Sequence, residues 1–225
     1  MKKIFLLITM ITLSIITTNA QVSFGLKAGL NISSVSNLTN NSATVGTTTA
    51  TNKTKLKLGG QFGAYANIHF GKILGLQPEL LFSMKGYKYE SKSVVGNVEA
   101  RSTSDVRINY IEIPLQLRVN PTENFYLLAG PYFGILAGAS STNTSYSSVP
   151  PIPPVTTTSK STSTNGLKSL DLGIAVGLGF KAENGFTMGL KYSRAFSSIY
   201  ANDSGTPHVN SVFQVFAGFE FGGKR

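Results

Sequence analysis

Asp203, Ser204 and His208 share one short polar stretch of this 225-residue chain. A hydroxyl, an imidazole to take its proton and a carboxylate to orient the ring are the parts of a nucleophilic hydrolase. Here nothing supplies a second acidic or basic partner at defined spacing. No nucleophile elbow or phosphate-cradling glycine loop precedes a helix either, because no segment has convincing helical periodicity. The only other histidine, His69, stands apart, so neither ring gathers a metal-ligand set. The chain has no cysteine, which removes disulfides, thiol chemistry and thiolate-bound zinc. We expect no catalytic, metal or cofactor site and no cofactor. The sequons Asn37-Leu38-Thr39 and Asn52-Lys53-Thr54 read as products of an Asn/Ser/Thr-rich composition.

The spacing does support ion pairing. Lys27, Glu79, Lys85, Glu112, Arg118, Asp171, Lys181, Lys191 and Glu220 each lie in a segment that is apolar at every second position, and each falls on the polar parity. Gly25, Gly29, Gly63, Gly130, Gly134, Gly138, Gly173, Gly177, Gly179, Gly189 and Gly218 share that parity. Glycine weakens a strand and has little reason to cover a solvated face, but it gives room inside a narrow barrel. Charges of both signs on such a face are expected to meet across a lumen as a structural network. The alternative is that they line a pore and set its selectivity. Glu112→Gln, which would strand a buried partner, is expected to cost about 3–5 kcal/mol.

The elements that must position these residues are eight strands, read from the period-2 alternation. They run Val22 to Ile32, about Lys57 to Phe70, about Ile73 to Tyr89, about Val106 to Val119, Phe125 to about Ala139, Leu170 to Lys181, Phe186 to Phe196, and about Phe213 to Phe221. Short turns follow the second, fourth and sixth, the last of them carrying Asn184-Gly185, a strong hairpin signal. Long polar stretches follow the others: Ser33 to about Lys55, Glu90 to Ser104, Ser140 to Gly166 and Ser197 to Val209. These read as loops without strand structure, and the prolines of 150–154 are expected to end any strand there. In the fourth strand Val106, Ile108 and Tyr110 are apolar on the wrong parity, so a bulge is expected near Asn109-Tyr110.

The expected fold is all-β: an eight-stranded antiparallel up-and-down transmembrane β-barrel with short periplasmic turns and long extracellular loops. A soluble ligand-carrying barrel would turn its large apolar face inward instead. Against this, the apolar parity carries almost no charge at strand centres. It also aligns Phe24, Phe70, Phe125, Phe180, Phe186 and Phe221 at the short-turn end, an aromatic girdle for the periplasmic interface. The opposite girdle is expected from Tyr192, Phe196 and Tyr110.

Residues 1–20 are expected to be a cleaved signal peptide, with Lys2 and Lys3, an apolar stretch from Ile4 to Ile16, and a small-residue site at Thr18-Asn19-Ala20. Residues 21–225 then form one barrel domain, placed in the outer membrane of a Gram-negative bacterium by Sec-type export. The chain carries 20 Lys+Arg against 10 Asp+Glu. The basic residues are scattered, Lys53, Lys55, Lys57, Lys88, Lys92, Arg101 and Arg107 among them, and several sit at loop bases. Outer-membrane lipid is therefore the expected partner, and nucleic acid is not.

Asn109-Tyr110-Ile111-Glu112-Ile113-Pro114-Leu115-Gln116-Leu117-Arg118 and Leu128-Ala129-Gly130-Pro131-Tyr132-Phe133-Gly134 resemble the PorT-like outer membrane protein beta-barrel domain family. Gly25 to Asn31 is similar to that family's first strand. The resemblance implies an outer-membrane barrel inserted by the barrel-assembly machinery, with Phe221 as the aromatic of the recognition signal in the last strand. It implies no agreed catalytic activity, and a few relatives are tied to protein secretion. We therefore expect a monomeric structural or surface-interaction protein with a filled lumen, no catalysis and an unnamed partner for its surface loops. The alternatives are a narrow porin-like channel or transporter for small solutes, or an accessory component of a secretion system.

Overall fold

The computed structural model describes residues 21–36, 38, 40–202 and 205–222. The expected signal peptide, Asn37 and Thr39 of the first sequon, and the Asp203-Ser204 pair lie outside the described residues.

Eleven strands follow one another: β1 (Gln21–Val35), β2 (Asn41–Val45), β3 (Thr48–Lys55), β4 (Lys57–His69), β5 (Leu74–Val95), β6 (Val98–Val119), β7 (Phe125–Val149), β8 (Ile152–Thr162), β9 (Leu170–Lys181), β10 (Phe186–Ala195) and β11 (Asn210–Gly222). Eight of them close a ring. β1 pairs β4, and antiparallel pairing then runs through β5, β6, β7, β9, β10 and β11 back to β1. Closure leaves no unpaired edge, the condition for crossing hydrocarbon with strands. Three tight turns lie at one end, around residues 70–73, 120–124 and 182–185. Gly185 adopts φ 90° there, and the Phe186 amide donates to Asn184 Oδ1 at 3.0 Å.

One row of outward residues runs Leu74, Val119, Leu127, Leu178, Leu190, Val215 and Leu30, each facing the next across a strand pair, and then reaches Gly60. Gly60 precedes Gln61, whose partner is Ser83. The row therefore returns to β5 far along from Leu74, where it began. That stagger is what tilts the strands of a closed barrel.

Beyond the ring, the structure departs from the sequence reading. Glu90 to Ser104 is not an open loop: β5 and β6 continue outward as a hairpin that turns at Gly96. Ser140 to Gly166 is not strandless either. β7 continues to Val149 and β8 pairs back onto it, with Pro150-Pro151 in the turn between them. The stretch from Ser33 to Lys55 contains the β2–β3 hairpin, and β3 pairs the outer part of β5. The result is a six-stranded wing, β2-β3-β5-β6-β7-β8, standing off one side of the barrel mouth. Both of its faces meet water, so nothing enforces apolar alternation, while its threonines suit extended backbone. Pro153 and Pro154 are tolerated because β8 is an edge strand.

The register shift falls at Asn109/Tyr110, but the extra residue lies on the neighbouring strand. Asn109 faces Gly138 and Tyr110 faces Leu136, leaving Ala137 of β7 unpaired. β6 keeps its phase through this step, so Ile108 and Tyr110 point inward and are buried.

Candidate functional site

The interior of the ring is where chemistry-bearing side chains converge. All nine charged residues singled out on the polar parity point into it, and they gather in three clusters along the axis. Nearest the short turns, Glu220 accepts from Arg118 at 3.2 Å, from Ser23 at 2.9 Å and from Asn67 at 3.0 Å, and it also pairs with Lys181. Midway, Glu79 bridges Lys27 at 2.6 Å and Lys191 at 3.0 Å. Toward the long-loop end, Lys85 pairs with Glu112 at 2.5 Å and Asp171 at 2.8 Å. Gln77 ties the first two clusters together, accepting from Arg118 at 3.1 Å and donating to Glu79 at 2.7 Å. Buried charges persist only when paired and hydrogen-bonded, and each of the nine has an opposite charge within reach.

Each cluster shares a further construction that the alternation did not reveal. A cation lies over an aromatic ring, and that ring lies over a glycine on the neighbouring strand. Arg118 stands 3.8 Å from the centre of the Tyr126 ring, Lys27 4.9 Å from that of Phe216, and Lys85 4.6 Å from that of Tyr132. The glycines directly opposite are Gly179 for Tyr126, Gly189 for Phe216 and Gly173 for Tyr132. A Cβ on any of them would come within 2.3 to 2.6 Å of the ring. Tyr65 covers Gly25 in the same way. Gly25, Gly173, Gly179 and Gly189 thus make floor space for rings, and the rings in turn are platforms for cations. The clue was an aromatic on the polar parity, but which glycine it covers depends on strand register.

Between the clusters, Gln61, Gln116 and Gln214 are fully buried, and neither amide atom of any of them has a protein partner. Such groups require water. Above Lys85 the polar lumen ends in an apolar plug of Val35, Tyr87, Ile108, Tyr110, Ala139 and Ile199. The segment carrying Ile199 is pinned down by backbone bonds to Lys168 (2.9 Å) and His208 (2.8 Å), and the hydroxyls of Tyr200 and Tyr87 meet at 2.5 Å. Tyr110 therefore belongs to this plug and not to an outer girdle. His69 lies at the short-turn end, with Nδ1 3.2 Å from the Gln21 carbonyl. Among the described residues no cluster of three or more His, Asp or Glu could hold a metal ion.

The outer wall is apolar. Phe24, Phe70, Phe125, Phe180, Phe186 and Phe221 are all exposed at the short-turn end, and Phe24–Phe221 and Phe125–Phe180 are cross-strand partners. Toward the other end Phe62, Phe133, Tyr192, Phe196 and Phe213 are exposed. Apolar surface that encircles a molecule in this way has no place in water.

The chain is similar in structure to Ail, the attachment invasion locus protein of Yersinia pestis, at 11% identity over 89% of this chain and 99% of that one, with a TM-score of 0.41. It is similar to OprG from Pseudomonas aeruginosa at 15% identity over 90% and 97%, with a TM-score of 0.34. The outer membrane protease OmpT from Escherichia coli matches at 14% identity over 90% and 95%, with a TM-score of 0.32. No curated protein matches in sequence. Residues 18–201 match the family described as outer membrane protein beta-barrel domain, and the chain belongs to that family, an eight-stranded barrel of the outer membrane.

Proposed function

We propose that this barrel is a non-catalytic, non-conducting monomer whose lumen is a structural core and whose working surface is the extracellular wing. The observation that carries this reading is the filling of the lumen. Three ion clusters span it, with Lys27, Lys85, Arg118 and Lys191 side chains at most 2% exposed, and an apolar plug lies over them. An eight-stranded ring leaves an interior only wide enough for side chains, so an ion would have to break these pairs to pass. The wing then offers the cell exterior two hairpins with exposed side chains, suited to adhesion or envelope maintenance.

The likeness of Asn109–Arg118 to PorT-like sequences supports the narrower family placement. Export by a signal peptide cleaved after Ala20, into the envelope of a Gram-negative bacterium, fits the composition of residues 1–20. Insertion by the barrel-assembly machinery through Phe221 fits the outer-membrane family. A second reading, a narrow conduit, draws on Gln61, Gln116 and Gln214, whose unpartnered amides imply water inside. Planar-bilayer recording of the purified protein separates the two. The filled-lumen reading expects a silent bilayer, and reproducible unitary steps would overturn it.

A further inference from the structure

On the outer wall, just beyond the hydrocarbon-facing rows, positive charge is crowded beyond what the nearby carboxylates balance. Lys55 of β3 lies directly opposite Lys88 of β5, an arrangement in which like charges repel. Lys88 faces Asp105 and Gly86 faces Arg107, so Arg107 is the diagonal neighbour of Lys88 on the same outward face. Lys57 arrives from the lumen side by crossing Gly86. A Cβ at Gly86 would stand 3.0 Å from Lys57 Cδ, and the ammonium beyond it ends on Asp105. Lys88 also reaches Asp105, at 3.3 Å, while Glu90 is taken by Lys55 and has Arg101 at 4.0 Å. Arg107 is exposed and pairs with no carboxylate among the described residues, and its field acts on Lys57 together with that of Lys88. Two carboxylates are thus shared among more cations than they can neutralise.

The level of this cluster identifies what would neutralise it. On the same face of β5 and β6 the next pair inward is Met84–Asn109, followed by Phe82–Ile111, with Ile111 exposed to hydrocarbon. Long basic side chains at such a boundary lay their stems on apolar surface and hold their heads among lipid headgroups. Guanidinium and ammonium groups together suit a phosphate, the arginine through paired N–H donors. We propose that Lys55, Lys88 and Arg107, backed by Lys57, form a site on the barrel's outer wall for the phosphate of a glycolipid in the outer leaflet. A free phosphate ion has the same chemistry. The cluster, however, faces sideways along the membrane surface, where a headgroup phosphate is held in place by its own acyl chains. The site rests on the outer wall meeting lipid and does not depend on whether the lumen conducts.

Thermal unfolding of the full mature chain in detergent micelles tests this, with three additions compared at equal phosphate: bisphosphorylated lipid A, dephosphorylated lipid A, and inorganic phosphate without lipid. The phosphorylated lipid is expected to raise the midpoint by several degrees over the dephosphorylated one. Lys88→Ala with Arg107→Ala is expected to lose that increment, while Lys168→Ala, at an exposed lysine elsewhere, keeps it. Should the double variant fail to fold, Arg107→Gln alone is read, with at least half the increment lost. Equal effects of the two lipids, an increment unchanged in the variants, or its reproduction by inorganic phosphate would each overturn the proposal.

Discussion

Tyr126 and Gly179 face each other across β7 and β9, and the phenol ring occupies the space a side chain at 179 would need: a Cβ there would stand 2.3 Å from the ring. On its other side the ring carries the Arg118 guanidinium at 3.8 Å. Gly179→Ala is therefore expected to push the ring off its floor and disturb the Arg118–Glu220 pair, at a cost of about 1–3 kcal/mol, as overpacking usually brings. Gly138→Ala, where a Cβ meets nothing within 4 Å, is expected to leave the unfolding midpoint unchanged. Denaturant unfolding in micelles measures both.

Glu79 serves two lysines, whereas Lys85 is served by two carboxylates. Glu79→Gln strands two buried cations and is expected to cost about 3–5 kcal/mol, the usual penalty for removing one side of a buried pair. Glu112→Gln leaves Asp171 with Lys85, so its cost is expected to fall below the about 3–5 kcal/mol that the sequence alone implied for stranding its partner. Unfolding midpoints of the two variants under one condition give the order, and equal losses would contradict it.

The membrane-crossing parts of the strands were legible because lipid on one side and a polar lumen on the other force strict alternation. Leu74, Leu127, Leu178 and Leu190 repeat the same logic on four strands. The wing was not legible, because water on both sides of Ser91–Ser104 and Ser140–Thr162 imposes no period. Tyr110 misled for a related reason: above Lys85 the interior itself becomes apolar, so an apolar residue there marks the plug and not the lipid face. The parity of Lys27 and Glu79 was readable, but their pairing across 52 positions follows from the stagger of the ring, which no local pattern records.

The wing should loosen in acid. Glu90, in the part of β5 beyond the lipid band, is held below the ordinary carboxylate range, chiefly by the hydrogen bond from Lys55. A group whose folded pKa is depressed contributes its stability in full above the unfolded value and loses it as pH falls through the folded one. Protease cleavage within the β3–β5 pair is thus expected to hold steady from neutral pH down to the ordinary glutamate value, about 4.3, and to rise as pH falls further. Glu90→Gln should raise the rate at neutral pH and flatten the profile.

Orientation follows from the turns. Protease added to intact cells is expected to cut around the β2–β3 turn near Gly46 and in the residues flanking the Pro150-Pro151 turn of the β7–β8 hairpin, both in the wing. Asn184, in a turn at the opposite end of the barrel, should be spared until the envelope is opened. Cleavage at Asn184 in sealed cells would invert the barrel.

The leucine and phenylalanine face meets hydrocarbon while the charged face is enclosed, and this arrangement can be read directly from outside. The chain contains no cysteine, so single cysteines at Leu178, Leu190 and Val215 can carry nitroxide labels in the otherwise unaltered protein reconstituted in lipid bilayers. Collisions with dissolved oxygen are expected to dominate at all three sites, and a water-soluble relaxation agent is expected hardly to reach them. Free access of the water-soluble agent, with little response to oxygen, would contradict it.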